Sequence, residues 1–422
     1  MDDVKIDLEK YRELPPTFLQ NLSGDKMLTF DILDQNGEVV FRSGEAIQVD
    51  AIQKSIAAGS KFFIPRAVEP TTGRYDYEII PVETMKGIAA ETAKTYGAIR
   101  SSGVMSYEQY VASHEQFAAI VQGLRQEDKN GGLLSLMREI ENFDYYTYVH
   151  SVNVGVLAMI LMYKLGYNKD EVRTLSTAGY LHDIGKLRVP KDIIEKPGRL
   201  SKSEFEAMMD HTRDGFRILD AIVAPGGQKA VPSIIKLTAL FHHRKFRNRG
   251  YPYRSFRDKK SEQFYLEIPE EVRLISICDM FDAITTSTPY RKGVSHEEGL
   301  QFILNLSNYH FTTNDVYRFL KPMIHTLNKG KNILAEGDFI MVESTARSTD
   351  DSAKKQLVYE FARVMKLYKG RSLEPHIRIF YDISKKKKIH PIEVDLRHDH
   401  YRRIVRILKS DRMLDMMRTV YS

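Results

Sequence analysis

The most apolar run of the chain is "VNVGVLAMILMY", Val152 to Tyr163, bracketed by His150 and Lys164. A bilayer-spanning helix needs about 20 residues, so this shorter run predicts a buried core helix. From Leu133 to about Asn328 apolar positions recur at helical spacing, with few strand signals. The flanks read differently. "LTFDILDQNGEVVFRSG" carries two alternating apolar runs around Asn36-Gly37, a hairpin signal. "DAIQKSIAAG" predicts a short helix ending at Gly59, and "KFFIP" a strand. Thr84 to Asp128 is helical and polar, with a break near Ser101 to Val104, and the turn chemistry of "DKNGG" closes it. After Asn332, "FIMVES", "PHIRIFYDIS" and "IHPIEVDL" predict strands, with Lys385 to Lys388 as a hairpin tip. "HYRRIVRILKSDRMLDMMRTVY" predicts a closing helix with Ile404, Leu408 and Met413 on one face.

The pattern therefore describes a mainly α protein. A small N-terminal α+β domain with a sensory or docking role spans 1–83, and a helical connector spans 84–128. A helical domain follows over 129–330, then a β-rich C-terminal addition with a final helix over 331–422. No internal repeat is present.

Composition changes this picture little. With 422 residues, 42% hydrophobic and 28% charged, the chain reads as globular and free of low-complexity blocks. A net charge of +6 suits an anionic ligand without requiring one. One cysteine, Cys278, excludes an internal disulfide framework and fits a reducing compartment. "MDDVKIDLEKYRELPP" is acidic and has no signal-peptide apolar core, so a cytoplasmic location with no membrane association is expected. "KKKK" and "HYRRIVR" are basic, but no nucleic-acid-binding signature accompanies them.

Candidate chemistry lies in the helical middle. His150, His182-Asp183, His211, His242-His243 and Asp279 follow one another roughly thirty residues apart, about one helix hairpin each. That spacing lets several helices direct one ligand apiece to a shared centre. Imidazoles with carboxylates suit Fe, Mn, Ni or Zn, and a bridging aspartate can hold two ions in a clamp for phosphoryl displacement. Asp282 reads three ways: a ligand neighbour, a helix-packing hydrogen bonder or a surface residue. A second His-Asp pair, His398-Asp399, sits in a basic tail with no apolar helix beside it and reads as a solvated surface pair.

"LHDIGKLRVPKDIIEKPGRLSKSEFEAMMDHTRDGFRIL", followed by "HH…RGYP" and "ICDMFDAITTSTPYR", resembles the HD-GYP subfamily of the HD metal-dependent phosphohydrolases. The likeness covers about half the chain. It implies a helical HD-type domain and a phosphodiesterase that hydrolyses cyclic di-GMP to pGpG or GMP through hydroxide made available at a two-ion centre. The ions it implies are divalent, iron or else manganese, with no organic cofactor. The metal ligands it implies are His150, His182, Asp183, His211, His242, His243 and Asp279, with Asp183 bridging. Lys186 would stand by the scissile phosphate. Arg249, Tyr251, Arg291 and Lys292 would contact the substrate, and the Gly250-Tyr251-Pro252 turn would shape the loop or dock a GGDEF-domain partner. A homodimer is a further expectation, from the connector helices and the closing helix.

The chain departs from the family at three places. Tyr146 stands where members with a third metal have a glutamate, which favours two ions. "HHRKFRNRGYP" replaces a loop close to "HHERWDGSGYP", and Thr288 stands where an arginine commonly precedes "PY". The extra cations, Arg244, Lys245, Arg247 and Arg249, either fork onto phosphate oxygens or form a solvated loop face. Two other readings therefore stand beside the enzyme: a receptor or adaptor with little turnover, and a hydrolase for a different nucleotide.

Overall fold

The computed structural model describes residues 11–13, 32–35, 38–41, 54–55, 60–65, 82–123, 146–194, 196, 198–252, 262–286, 293–328, 331–345, 357–383 and 385–408. Near the N-terminus, β1 (Tyr11–Glu13), β2 (Ile32–Asp34), β3 (Val39–Phe41) and β4 (Phe62–Pro65) form an antiparallel sheet in the order β1-β4-β2-β3. β2 and β3 pair as the hairpin pattern predicts, and Asp34 accepts the Glu38 backbone N–H at 2.9 Å. Asn36-Gly37 lie outside the described residues. So does most of the short helix expected after Asp50, of which only Lys54 and Ser55 are described. β1 has no counterpart in the sequence reading.

Helices α1 (Val82–Ser102) and α2 (Tyr107–Gly123) lie against the helices that follow. Tyr96 donates to the Tyr180 carbonyl at 3.1 Å and Tyr180 donates to the Thr92 hydroxyl at 3.0 Å. The apolar run becomes α3 (Tyr146–Lys164), buried from Val152 to Met162. No helix among the described residues is long and apolar enough to cross a membrane. α4 (Lys169–Leu181) starts with a reciprocal cap between Asn168 and Glu171. A 3-10 turn, Ile184–Arg188, and one helical turn, Lys191–Ile194, lead to α5 (Lys202–Met209) and α6 (His211–Asp220). α7 (Ser233–Phe241), α8 (Glu262–Glu267), α9 (Glu270–Thr285), α10 (His296–Leu304) and α11 (Thr313–Leu327) complete the helical part.

Gly185 has a different role from the helix terminator that its place after His182-Asp183 suggests. It lies inside the 3-10 turn, where an added Cβ would overlap the His211 carbonyl oxygen and come within 2.9 Å of its carbon. The missing side chain lets this turn press onto the start of α6.

Two short strands, β5 (Arg244–Lys245) and β6 (Arg249–Gly250), pair after α7. The C-terminal region is an antiparallel sheet, β10-β9-β8-β7-β11, built from β7 (Phe339–Thr345), β8 (Leu357–Lys366), β9 (His376–Asp382), β10 (Lys387–Asp395) and β11 (Arg402–Leu408). The tip between β9 and β10 is shorter than expected: Lys385 and Lys386 make the turn, while Lys387 and Lys388 already pair in β10. Ile340, Val342, Ile377 and Ile404 join the helical core. The expected closing helix is corrected over Arg402–Leu408, which is a strand; 409–422 lie outside the described residues. β-Branched Ile404, Val405 and Ile407 favour an extended chain, and β7 offers an edge for them to pair with. Tyr317 on α11 locks the strand, donating to the Ile404 carbonyl at 3.1 Å and accepting its N–H at 2.7 Å.

Candidate metal centre

One local device fixes three of the imidazoles. His182 and His242 cap the C-termini of α4 and α7, and His211 opens α6. In each, Nδ1 faces the carbonyl three residues earlier: Gly179 at 2.6 Å, Met208 at 2.6 Å and Ala239 at 3.1 Å. A carbonyl oxygen can only accept, so Nδ1 carries the proton and Nε2 keeps a bare lone pair. These lone pairs converge in the interior. The Nε2 atoms of His211 and His242 stand 3.3 Å apart. With both Nδ1 positions protonated, a proton between them would require a charged ring.

His150, on α3, is oriented from another direction. Its Nδ1 donates to Asp282 Oδ2 at 2.7 Å, while Asp282 Oδ1 accepts from Asn153 at 2.8 Å and Thr286 at 2.9 Å. Of the three readings open for Asp282, the hydrogen bonder is the observed one; its side chain is buried and fully engaged. Asn153 and Thr286 were not singled out in the sequence. A signal existed: Asn153 is the one polar side chain inside the apolar run, one helical turn after His150.

The carboxylates face these nitrogens. Asp183 Oδ1 lies 3.3 Å from His211 Nε2 and 3.5 Å from His242 Nε2. Its Oδ2 lies 3.3 Å from His182 Nε2 and 3.8 Å from His150 Nε2, and also contacts the Lys186 ammonium. Asp279 Oδ1 is 3.2 Å from His150 Nε2 and 3.7 Å from His182 Nε2. Burial would raise the Asp183 pKa, but Lys186 and His182 hold it well below the usual carboxylate range. Burial opposes charge on His150, yet hydrogen bonds to Asp279 and Asp282 lift it to about 10. Burial, with His242 close by, keeps His243 far below the ordinary histidine value.

A divalent cation fits this donor set. Potential ligand atoms of Asp183, His211, His242 and His243 lie within 4.8 Å of one another, as do those of His150, His182 and Asp183, and those of His182, His242 and Asp279. His182 Nε2 and Asp183 Oδ1 are buried with no aligned hydrogen-bond partner among the described residues, despite their close neighbours. Leaving such atoms unsatisfied costs about 1–3 kcal/mol each, a cost that a coordinated ion removes. All seven nominated ligands come together here.

The loop after His243 closes over one side. Arg247 adopts a left-handed φ of 58°, and Gly250 one of 79°. A Cβ at Gly250 would collide with the His243 carbonyl, and Tyr251 N–H donates to that same oxygen at 3.2 Å. Tyr251 is thereby folded back, its ring centre 4.7 Å from that of His243. Arg244 matches neither reading of the loop cations. It is 2% exposed, with its guanidinium over the Phe264 ring at 4.9 Å and a long contact of 3.5 Å to the Pro252 carbonyl. It underpins the loop from inside, while Arg247 is exposed. Arg291, Lys292 and Thr288 lie outside the described residues, as do the side chains of Arg249 and Tyr146. His398 is exposed and Asp399 pairs with Arg402 at 2.7 Å, away from any candidate metal group among the described residues.

Residues 135–312 match the HD domain family. The chain is 32% identical over 266 residues to a cyclic di-GMP phosphodiesterase of Pseudomonas aeruginosa, an alignment covering 63% of this chain and 55% of that protein. It is 32% identical over 189 residues to a cyclic di-GMP phosphodiesterase of Thermotoga maritima, covering 45% and 47%. It is also 33% identical over 153 residues to a 3'3'-cGAMP-specific phosphodiesterase of Vibrio cholerae, covering 36% and 32%. The match spans about half the length of the Pseudomonas and Thermotoga proteins and about a third of the Vibrio one.

Proposed function

From the premise that residues 135–312 are an HD domain, we propose that the chain is a metal-dependent phosphodiesterase that hydrolyses cyclic di-GMP to pGpG, GMP or both. The observation that carries this reading is the placement of Asp183. One carboxylate oxygen faces His211 and His242, and the other faces His182 and His150. A carboxylate shared by two imidazole sets supports a two-ion centre, with His211, His242 and His243 on one side and His150, His182 and Asp279 on the other. The nitrogen and oxygen donors suit iron or manganese. Such ions, when bound, lower the pKa of water toward neutrality and polarise the phosphoryl oxygen.

The chain's own residues supply the remainder. The backbone carbonyls at Gly179, Met208 and Ala239 hold three Nε2 lone pairs inward. Lys186, next to Asp183, carries the positive charge that would meet a phosphate oxygen entering the centre. Tyr251 closes the side nearest His243, and Arg249, Arg291 and Lys292 are the further cations proposed to grip the dinucleotide. The test is one anaerobic preparation split between elemental analysis and chromatography of cyclic di-GMP after incubation. About two equivalents of metal with conversion to pGpG supports the reading. Metal without conversion overturns it and leaves a receptor or a hydrolase of another nucleotide. Faster turnover of 3'3'-cGAMP, the substrate in the name of the Vibrio relative, would reassign the nucleotide.

A further inference from the structure

Phe205 lies on α5, a helix with no buried residue, and is 48% exposed. A single exposed aromatic is ordinary on a protein surface. What sets Phe205 apart is its neighbours. Its ring centre lies 6.1 Å from that of Tyr251, with the two planes at 88°. The Tyr251 ring in turn lies 4.7 Å from His243 and 6.1 Å from His211. A continuous file of rings thus runs from the proposed metal ligands to the surface, and Phe205 is its outer end. Burying a phenylalanine contributes about 1.5–3 kcal/mol, and Phe205 forgoes much of that here. Its capping box, Ser201 with Glu204, and the Lys196–Glu204 pair at 2.6 Å secure the helix without it.

We propose that Phe205, with Tyr251 beside it, forms a stacking subsite for a purine base of the substrate. The inference rests on the phosphodiesterase reading, since it places a phosphate among the imidazoles. One ribose separates that phosphate from its base, so the base lies one ring-width further out, along the file. Stacking needs an aromatic face and tolerates any base, so this subsite supplies affinity, while the choice among purines is made elsewhere.

The chain contains no tryptophan, so Phe205→Trp introduces a single indole reporter in the full-length, metal-loaded protein. GMP is expected to quench its fluorescence and inorganic phosphate to leave it unchanged. In calorimetric titrations, Phe205→Ala and Phe205→Leu are expected to weaken GMP binding about tenfold, in line with base–aromatic stacking. Inorganic phosphate affinity and bound metal should match the wild type, and Phe205→Trp should bind GMP at least as tightly as wild type. Full GMP affinity in Phe205→Leu would show that only apolar bulk is needed and overturn the proposal. So would an unchanged ratio of GMP to phosphate affinity in Phe205→Ala. Intact GMP selectivity with no cyclic di-GMP turnover would support the subsite and sink the catalytic reading alone.

Discussion

Replacing Asp282 by asparagine should damage the centre without touching a proposed ligand. The Asp282 carboxylate accepts three hydrogen bonds, two at Oδ1 from Asn153 and Thr286 and one at Oδ2 from His150. An amide has one acceptor oxygen, and two donors compete for it on the Oδ1 side. The amide nitrogen then faces His150 Nδ1 and donates to it. That reverses the tautomer of the neutral ring: its one proton sits on Nε2, aimed at Asp183 and Asp279, in place of the lone pair that a metal ion would need. A charge-assisted hydrogen bond to His150 is worth about 1.5–3 kcal/mol, and each 1.4 kcal/mol is about tenfold in affinity. Loss of a partner that orients a metal-bound histidine costs about 10–100-fold in metal affinity, which agrees. The assay is a manganese titration against a competing chelator, with circular dichroism to confirm that the helices remain. Metal affinity within twofold of wild type, in a folded variant, would refute the assigned role of Asp282.

Two further outcomes follow from the packing and the burial. Gly185→Ala pushes a methyl group into the His211 carbonyl; it should cost about 1–3 kcal/mol of stability and lower bound metal, and a thermal melt with metal analysis equal to wild type would contradict the close approach. Glu343, on β7, has its pKa raised above the ordinary 4.5 by burial, which outweighs the hydrogen bond from Asn308. The folded state therefore holds the Glu343 proton more tightly than the unfolded chain, and stability falls as pH rises through the window above 4.5. Glu343→Gln should melt higher than wild type at neutral pH, with the gap closing below pH 4.5; a gap independent of pH would show that the carboxyl is not the cause.

The sequence was most readable where one periodicity ran long enough to be unambiguous. Val152 to Tyr163 fills a helix on every side, and that is visible without coordinates. His150, His182, His211, His242 and Asp279 stand out because their spacing matches a helix hairpin, and the fold brings them together. Spacing says nothing about who orients whom. The choice among three roles for Asp282 needed α3 and α9 side by side. Charge alone suggests either phosphate or solvent for Arg244, whereas Phe264 and the Pro252 carbonyl give its guanidinium an interior seat. Ile404 and Leu408 fit a helical face as well as they fit a strand, and only the free edge of β7 decides between them. The β8 strand "LVYEFARVMK" and β1 went unread for the same reason: a strand is specified by its partners as much as by its own residues.

The proposed ligands come from separate stretches of chain, each about thirty residues from the next. An ion held by them would act as a reversible cross-link, closing several loops at once and drawing together helices that otherwise rely on apolar contact and a few buried hydrogen bonds. Losing it would silence the chemistry and also slacken the bundle, exposing the chain to proteolysis. The supply of that ion in the cell would then set how long each molecule survives as well as how fast it works.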